Sequence, residues 1–163
     1  MTIAQRMYEG LKAGGVSFAV YLPDSVLYET EQLLEADAEV STVVCSREDE
    51  GVAIATGAAL AGETAVALME GSGLGLSGLV LARAQSQRTP LLVVFSHVRS
   101  HGDRFDYHSA ARATGEGICI GLGIPYAVAR DEESVANLIQ QLMVTAASQK
   151  TIVGMAVPGN LRA

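Results

Sequence analysis

Six short apolar runs set the limits on what this chain can fold into. They occupy residues 16–22, 40–45, 65–69, 91–95, 125–129 and 151–157. Each is continuous rather than alternating, so each reads as a strand covered on both faces. Helical segments stand between them. Ile3, Met7, Tyr8 and Leu11 recur at helical spacing over residues 2–14, with Thr2 placed to cap and Gly14-Gly15 to stop the helix. Asp24 or Ser25 can cap a helix reaching about residue 36. Further helices are predicted from Glu48 to Gly62, from the glycine loop at 71–75 to about residue 88, and over 109–121. Asp131 is placed to cap a last helix that carries Val135, Leu138, Ile139, Leu142, Met143 and Ala146 on one face. Strand and helix therefore alternate throughout. That pattern predicts an α/β fold, a three-layer doubly wound parallel sheet of about six strands, in one domain over residues 1–163.

Composition narrows the function classes. A chain of 163 residues can bury about 70% of the surface its unfolded form exposes. Aromatics make up only 5% and Trp is absent, so the core is expected to be aliphatic, with closely packed helices. The net charge of -7 argues against a nucleic-acid-binding surface. No apolar run is long enough to span a membrane and the first residues hold no signal-peptide core, so a cytoplasmic protein is expected. Cys45 and Cys119 form neither a disulfide framework nor a metal-ligand spacing.

Three stretches carry candidate chemistry. In Cys45-Ser46-Arg47-Glu48-Asp49-Glu50-Gly51, an apolar strand runs into an Ala/Gly-rich helix. Glu48 is thus expected at the carboxyl end of a strand and the start of a helix, the edge where open α/β sheets bind ligands. The helix end favours its charge and burial opposes it, which makes it a candidate for proton chemistry; an ordinary first-turn acid is the plainer alternative. Gly73-x-Gly75-x-x-Gly78 matches a dinucleotide fingerprint in form. It lies in the third βα unit, however, and Phe95-Ser96-His97 stands where the ribose-binding acid belongs. Tight turning and close helix packing account for these glycines equally well. All three histidines, His97, His101 and His108, are interleaved with Arg99, Arg104 and Arg112. In an acidic chain this cluster can hold an anion by charge-assisted hydrogen bonds, or it can be a solvated loop.

Together these residues resemble the pyrimidine-binding (PYR) domain of thiamine-diphosphate enzymes. More narrowly, the chain is similar to sulfopyruvate decarboxylase α subunits and to the N-terminal part of phosphonopyruvate decarboxylases. The resemblance rests on Gly15-Val16-Ser17-Phe18 leading to Leu22-Pro23-Asp24-Ser25, on Glu48 with Gly57 nine residues on, and on Ser72-Gly73-Leu74-Gly75. Pro90 to His97, Arg112-Ala113-Thr114 and Ile124-Pro125-Tyr126 complete it. It implies that Glu48 is the glutamate that hydrogen-bonds N1′ of the aminopyrimidine and so promotes removal of the thiazolium C2 proton; Glu50 fits the Gly57 spacing less well. Gly71, Ser72 and Gly73 would line the aminopyrimidine pocket, with Pro23, Asp24 and Ser25 at its mouth. Asp24 and Ser25 would face substrate there. His97 falls where related decarboxylases carry active-site histidines. Arg99, His101, Arg104 and His108 could receive the carboxylate or a distal sulfonate or phosphonate of a 2-oxo acid.

Two departures from the pattern matter. Gly71 and Leu76 stand where the family's loop carries asparagines. The chain also lacks the Gly-Asp-Gly…Asn signature that holds diphosphate and magnesium, so no metal site is expected in it. The resemblance then implies thiamine diphosphate as cofactor, Mg2+ held by a β subunit that brings the diphosphate-binding domain, and pairing between PYR domains. A PYR-fold binding or regulatory module, and a nucleotide-binding α/β domain, are the alternatives from other classes.

Overall fold

In the computed structural model, which describes residues 1–97 and 108–162, six parallel strands form one sheet with helices on both faces. The strands are β1 (Phe18–Tyr21), β2 (Ser41–Val44), β3 (Ala65–Glu70), β4 (Leu91–His97), β5 (Tyr126–Val128) and β6 (Ile152–Pro158), in the order β2-β1-β3-β4-β6-β5. The helices are α1 (Ile3–Ala13), α2 (Tyr28–Glu35), α3 (Glu48–Leu60), α4 (Gly71–Leu76), α5 (Gly78–Ser86), α6 (His108–Leu122) and α7 (Val135–Gln149). A 3-10 turn, Gly159–Arg162, follows β6. The three-layer doubly wound architecture expected from the apolar runs is what forms.

Side-chain alternation along the strands feeds two separate cores. Ala19, Tyr21, Val66, Leu68, Leu92, Val94, Val153 and Met155 face α1, α2 and α7. Val20, Ala67, Met69, Val93, Phe95 and Ala156 face α3, α4, α5 and α6. β1, β3, β4 and β6 are covered on both sides and so read as unbroken apolar runs, whereas the edge strands β2 and β5, expected to be covered too, are only partly so, with Val44 56% exposed. Small residues let the helices approach. Gly10 of α1 lies so near α7 that a β-carbon on it would sit 2.9 Å from the Ala136 Cα. Thr2 and Gln5 form a reciprocal capping box at the start of α1, and Gly15, at φ +82°, turns the chain away at its end.

Four element assignments differ from expectation, each for a visible reason. Asp24 and Asp131 do cap, but each caps a turn ahead of its helix. Asp24 Oδ1 accepts from the Val26 and Leu27 amides at 2.8 and 3.1 Å, and Asp131 Oδ1 from the Ser134 amide at 2.8 Å. The helices therefore start later, at Tyr28 and Val135. β4 continues past Phe95 to His97 because β6 continues beside it, pairing Ser96 with Val157 and His97 with Pro158. The predicted glycine loop at 71–75 is helical, as α4. Three glycines disfavour a helix by about 1 kcal/mol each. The packing that overrides this is specific: a β-carbon on Gly71 would lie 2.6 Å from the Ser96 carbonyl oxygen, one on Gly115 of α6 would lie 2.7 Å from the Gly71 carbonyl oxygen, and one on Gly75 would lie 2.9 Å from the Thr114 Cβ.

Candidate active site

The carboxyl edge of the sheet collects functional side chains from several elements. The chain steps from β1 outward to β2 and returns to β3 on the other side of β1, so the edge beyond β1 and β3 is a topological switch point. Three groups of residues meet along this edge.

The first group is built on α3 and α4. Glu48 is the first residue of α3, after Arg47 in extended conformation. Its side chain is half-buried. It lies directly over the α-carbon of Gly73: a β-carbon there would be 2.7 Å from the Glu48 Cβ, 2.9 Å from its Cδ and closer still to its Cγ. Glycine is required at 73 because the glutamate stem occupies the space a side chain would need. Among the described residues no hydrogen bond or ion pair engages the Glu48 carboxylate. Its neighbours in the first turn are engaged: Glu50 accepts from the Ser46 amide at 2.9 Å, and Asp49 pairs with Arg47 at 2.9 Å. The structure thus separates Glu48 from Glu50, which is exposed and tied to its own helix cap.

The second group joins β1, α2, β3 and β4. Asp24 follows Pro23 after β1, and its Oδ2 accepts from the buried Ser96 hydroxyl at 3.1 Å. With Oδ1 on the Val26 and Leu27 amides, both Asp24 oxygens hold the turn, so contact with a ligand would be made in addition to these bonds. Burial pushes the Asp24 carboxyl above the usual range, against the pull of the Val26 amide and the Ser96 hydroxyl. Ser25 and Pro23 are exposed at the rim. Ser72 donates to Glu70 at 2.5 Å. Beneath the turn lies Glu31, only 2% exposed, whose Oε1 accepts from the Asp24 amide at 3.3 Å.

The third group joins β4, α6 and β5. His97 Nε2 lies 3.4 Å from Glu116 Oε1, and the Tyr126 hydroxyl donates to the same oxygen at 3.5 Å. Ser96 and His97, adjacent on β4, point to opposite faces of the sheet and so touch the second and third groups respectively. His108 opens α6. Arg99, His101 and Arg104 lie outside the described residues, as does the side chain of Arg112.

Four participants were not singled out from the sequence: Glu31, Glu70, Ser96 and Glu116. Glu31 had a readable signal. Leu27, Thr30, Glu31 and Leu34 follow the i, i+3, i+4, i+7 spacing of a buried stripe, and all four are buried. Glu116 had none, since only the packing of α6 against the end of β4 brings it to His97.

The family model of the thiamine pyrophosphate enzyme N-terminal TPP-binding domain matches residues 1–116. The chain belongs to that family. This TPP-binding domain is 34% identical over 141 residues to sulfopyruvate decarboxylase subunit alpha of Methanothermobacter thermautotrophicus, covering 85% of each chain. It is 30% identical over 98 residues to the same subunit of Methanococcus maripaludis, covering 60% of this chain and 59% of that one. Among solved structures, a 2-oxoglutarate:ferredoxin oxidoreductase from Magnetococcus marinus matches 99% of the chain with a TM-score of 0.77 at 18% identity. A thiamine diphosphate-dependent 4-hydroxybenzoylformate decarboxylase of Rhodococcus jostii RHA1 matches all of it with a TM-score of 0.72 at 21% identity. At those identities the two structures establish the fold alone. The domain spans under a third of either chain, 29% and 31%.

Glu48 offers a carboxylate without a protein partner among the described residues, at the carboxyl edge of the sheet, beside a helix whose Gly73 makes room for its stem. Among the described residues, no helix is long and apolar enough to cross a membrane.

Proposed function

We propose that this chain is the α subunit of a thiamine-diphosphate-dependent 2-oxo acid decarboxylase acting on a sulfopyruvate-like or phosphonopyruvate-like acid in the cytoplasm. The observation that carries the reading is Glu48: half-buried, unengaged by other described residues, and laid across the bare α-carbon of Gly73. The cofactor, when bound, supplies the electron sink for loss of carbon dioxide from the acid. With the cofactor bound, Glu48 would hydrogen-bond N1′ of the aminopyrimidine and so promote removal of the thiazolium C2 proton. Gly71, Ser72 and Gly73 line the ring's pocket, and Pro23 closes its mouth. Asp24, Ser25, His97, His108 and the Arg99–Arg104 segment are assigned to the substrate side, where a dianionic acid needs donors and positive charge.

A β subunit carrying the diphosphate-binding domain completes the site and holds Mg2+. The subunit naming of the relatives supports a partner of this kind. Leu60, Leu76, Leu79 and Ile120, exposed on α3, α4, α5 and α6, offer it an apolar surface on the Glu48 side of the sheet; Tyr28 and Val144 are exposed on the other side. Pairing of this domain with a second copy is part of the same reading.

The deciding experiment is exchange of the cofactor's C2 proton, followed by NMR in the complex with its partner. Glu48→Gln is expected to slow it by about 10²–10⁴-fold, the usual contribution of a positioned proton-transfer group. Exchange at the wild-type rate would remove Glu48 from this role, and failure to bind thiamine diphosphate at all would favour a binding module that shares the fold.

A further inference from the structure

Glu31 is a buried carboxyl without a counter-charge. It sits on α2, 2% exposed, between Leu27 and Leu34. Oε1 accepts from the Asp24 amide at 3.3 Å, and Oε2 is buried with no hydrogen-bond partner. Among the described residues, every titratable group facing it is itself acidic. Asp24 stands on the turn above, Glu35 one helical turn on in α2, and Tyr21 of β1, bonded to Glu35, beside it. Glu70, at the end of β3, faces Asp24 in turn. Among the described residues no Lys or Arg pairs with Glu31. A carboxylate cannot remain ionised in such surroundings at low cost, whereas a carboxylic acid can.

We propose that Glu31 is a positioning residue: as a neutral acid it fixes the Asp24 turn at the mouth of the site, and on ionising in alkaline solution it lets that turn go. The neutral acid accepts the Asp24 amide through its carbonyl oxygen. The Asp24 carboxyl then caps Val26 and Leu27 and accepts from Ser96, so one buried proton underlies four bonds that join β1, α2 and β4. Ionisation strengthens the one bond from the Asp24 amide, but it leaves a charged Oε2 with no donor in a dry site beside the Asp24 carboxylate, and admitting water to that oxygen opens the turn. Burial, opposed by the Asp24 amide and reinforced by the charges of Asp24 and Glu35, pushes the Glu31 carboxyl up to about 8, so the change falls just above neutrality. The consequence for substrate rests on the decarboxylase reading; the consequence for the turn does not.

The test follows the backbone amides of Asp24, Val26 and Leu27 by NMR from pH 6 to 10, in wild type and in Glu31→Gln. Glutamine keeps the acceptor and cannot ionise, so it imitates the neutral acid. In the wild type the three amides should shift together through one transition between pH 7 and 9, and their hydrogen exchange should accelerate at least 10-fold beyond the intrinsic base-catalysed increase. In Glu31→Gln both effects should vanish. An identical transition in the variant, or none in the wild type, overturns the proposal. If the variant does not fold, titration of the carboxyl carbon of 13C-labelled Glu31 in the wild type decides alone, and a midpoint in the ordinary carboxylate range refutes it. In the complex with its partner, KM for the 2-oxo acid should rise at least 5-fold between pH 7 and 9 with kcat little changed, and this dependence should be absent from Glu31→Gln. A wild-type-like KM profile in the variant would remove the positioning role even where the amides behave as expected. If no 2-oxo acid is turned over, the decarboxylase reading fails and the amide titration still judges Glu31.

Discussion

Replacing Gly73 with alanine puts the geometry of the site under the most direct test. The added methyl would lie 2.7 Å from the Glu48 Cβ and 2.9 Å from its Cδ, with Cγ nearer still. Carbon atoms rest at about 3.5–4.0 Å, so the shortfall is about 0.8 Å at Cβ and larger at Cγ. Rotation about the end of the side chain cannot relieve contacts at its root. Either α4 withdraws from α3 or the Glu48 stem swings away, and the carboxylate is displaced by about 1 Å in both cases. A misplacement of that size costs about 10²-fold, or roughly 2.7 kcal/mol of transition-state stabilisation. Overpacking destabilises the fold by about 1–3 kcal/mol as well. The assay is C2 proton exchange of thiamine diphosphate in the complex, alongside urea unfolding of the variant. Gly57→Ala is the matched control: it lies in α3 with Glu48, and nothing within 4 Å would meet its methyl. If Gly73→Ala exchanges within 3-fold of wild type and unfolds at the same urea concentration, Glu48 does not lie where the argument places it.

Other expectations follow from the same structure. Gly57→Ala should stabilise the protein by about 0.5–1 kcal/mol, read as a raised urea midpoint, because alanine replaces glycine in an open helix interior. Gly115→Ala should cost about 2–3 kcal/mol and lower the thermal midpoint, since its methyl would meet the Gly71 backbone at 2.7 Å, where no side chain can yield. The folded-state value of Glu31 is raised, so its contribution to stability is complete in acid and is lost as pH rises toward 8. The thermal midpoint of the wild type should therefore fall between pH 6 and 9 by more than that of Glu31→Gln. Burial pushes the Cys119 thiol up to about 11 and also raises Cys45, so neither should react with a thiol reagent at pH 8 until the protein unfolds.

The sheet was readable because burial on both faces leaves a plain mark, the unbroken apolar run. The last helix was readable because its face is apolar at helical spacing, although Asp131 caps a turn and not the helix itself. α4 was not readable. Its glycines argue against a helix locally, and the contacts that favour one come from Ser96, Thr114 and Gly115, distant in sequence. Glu48 could be placed at a sheet edge from the strand that precedes it, yet its orientation depends on Gly73, in a different βα unit. The pairing of His97 with Glu116 likewise depends on how α6 packs, which no local pattern records. Glu31 is the instructive case, since the stripe formed by Leu27, Thr30 and Leu34 marked its position as interior.

The close seat of α1 on α7 has a consequence for how the molecule is made. α1 ends at Ala13, and α7 does not begin until Val135. The helix that packs on Gly10 and Gly14 therefore leaves the ribosome long after α1 does. Until it emerges, that part of α1 stays open to solvent, to chaperones and to other nascent chains. A truncation ahead of Val135 would leave that part permanently bare, and such fragments should aggregate in proportion to how much of α7 they lack.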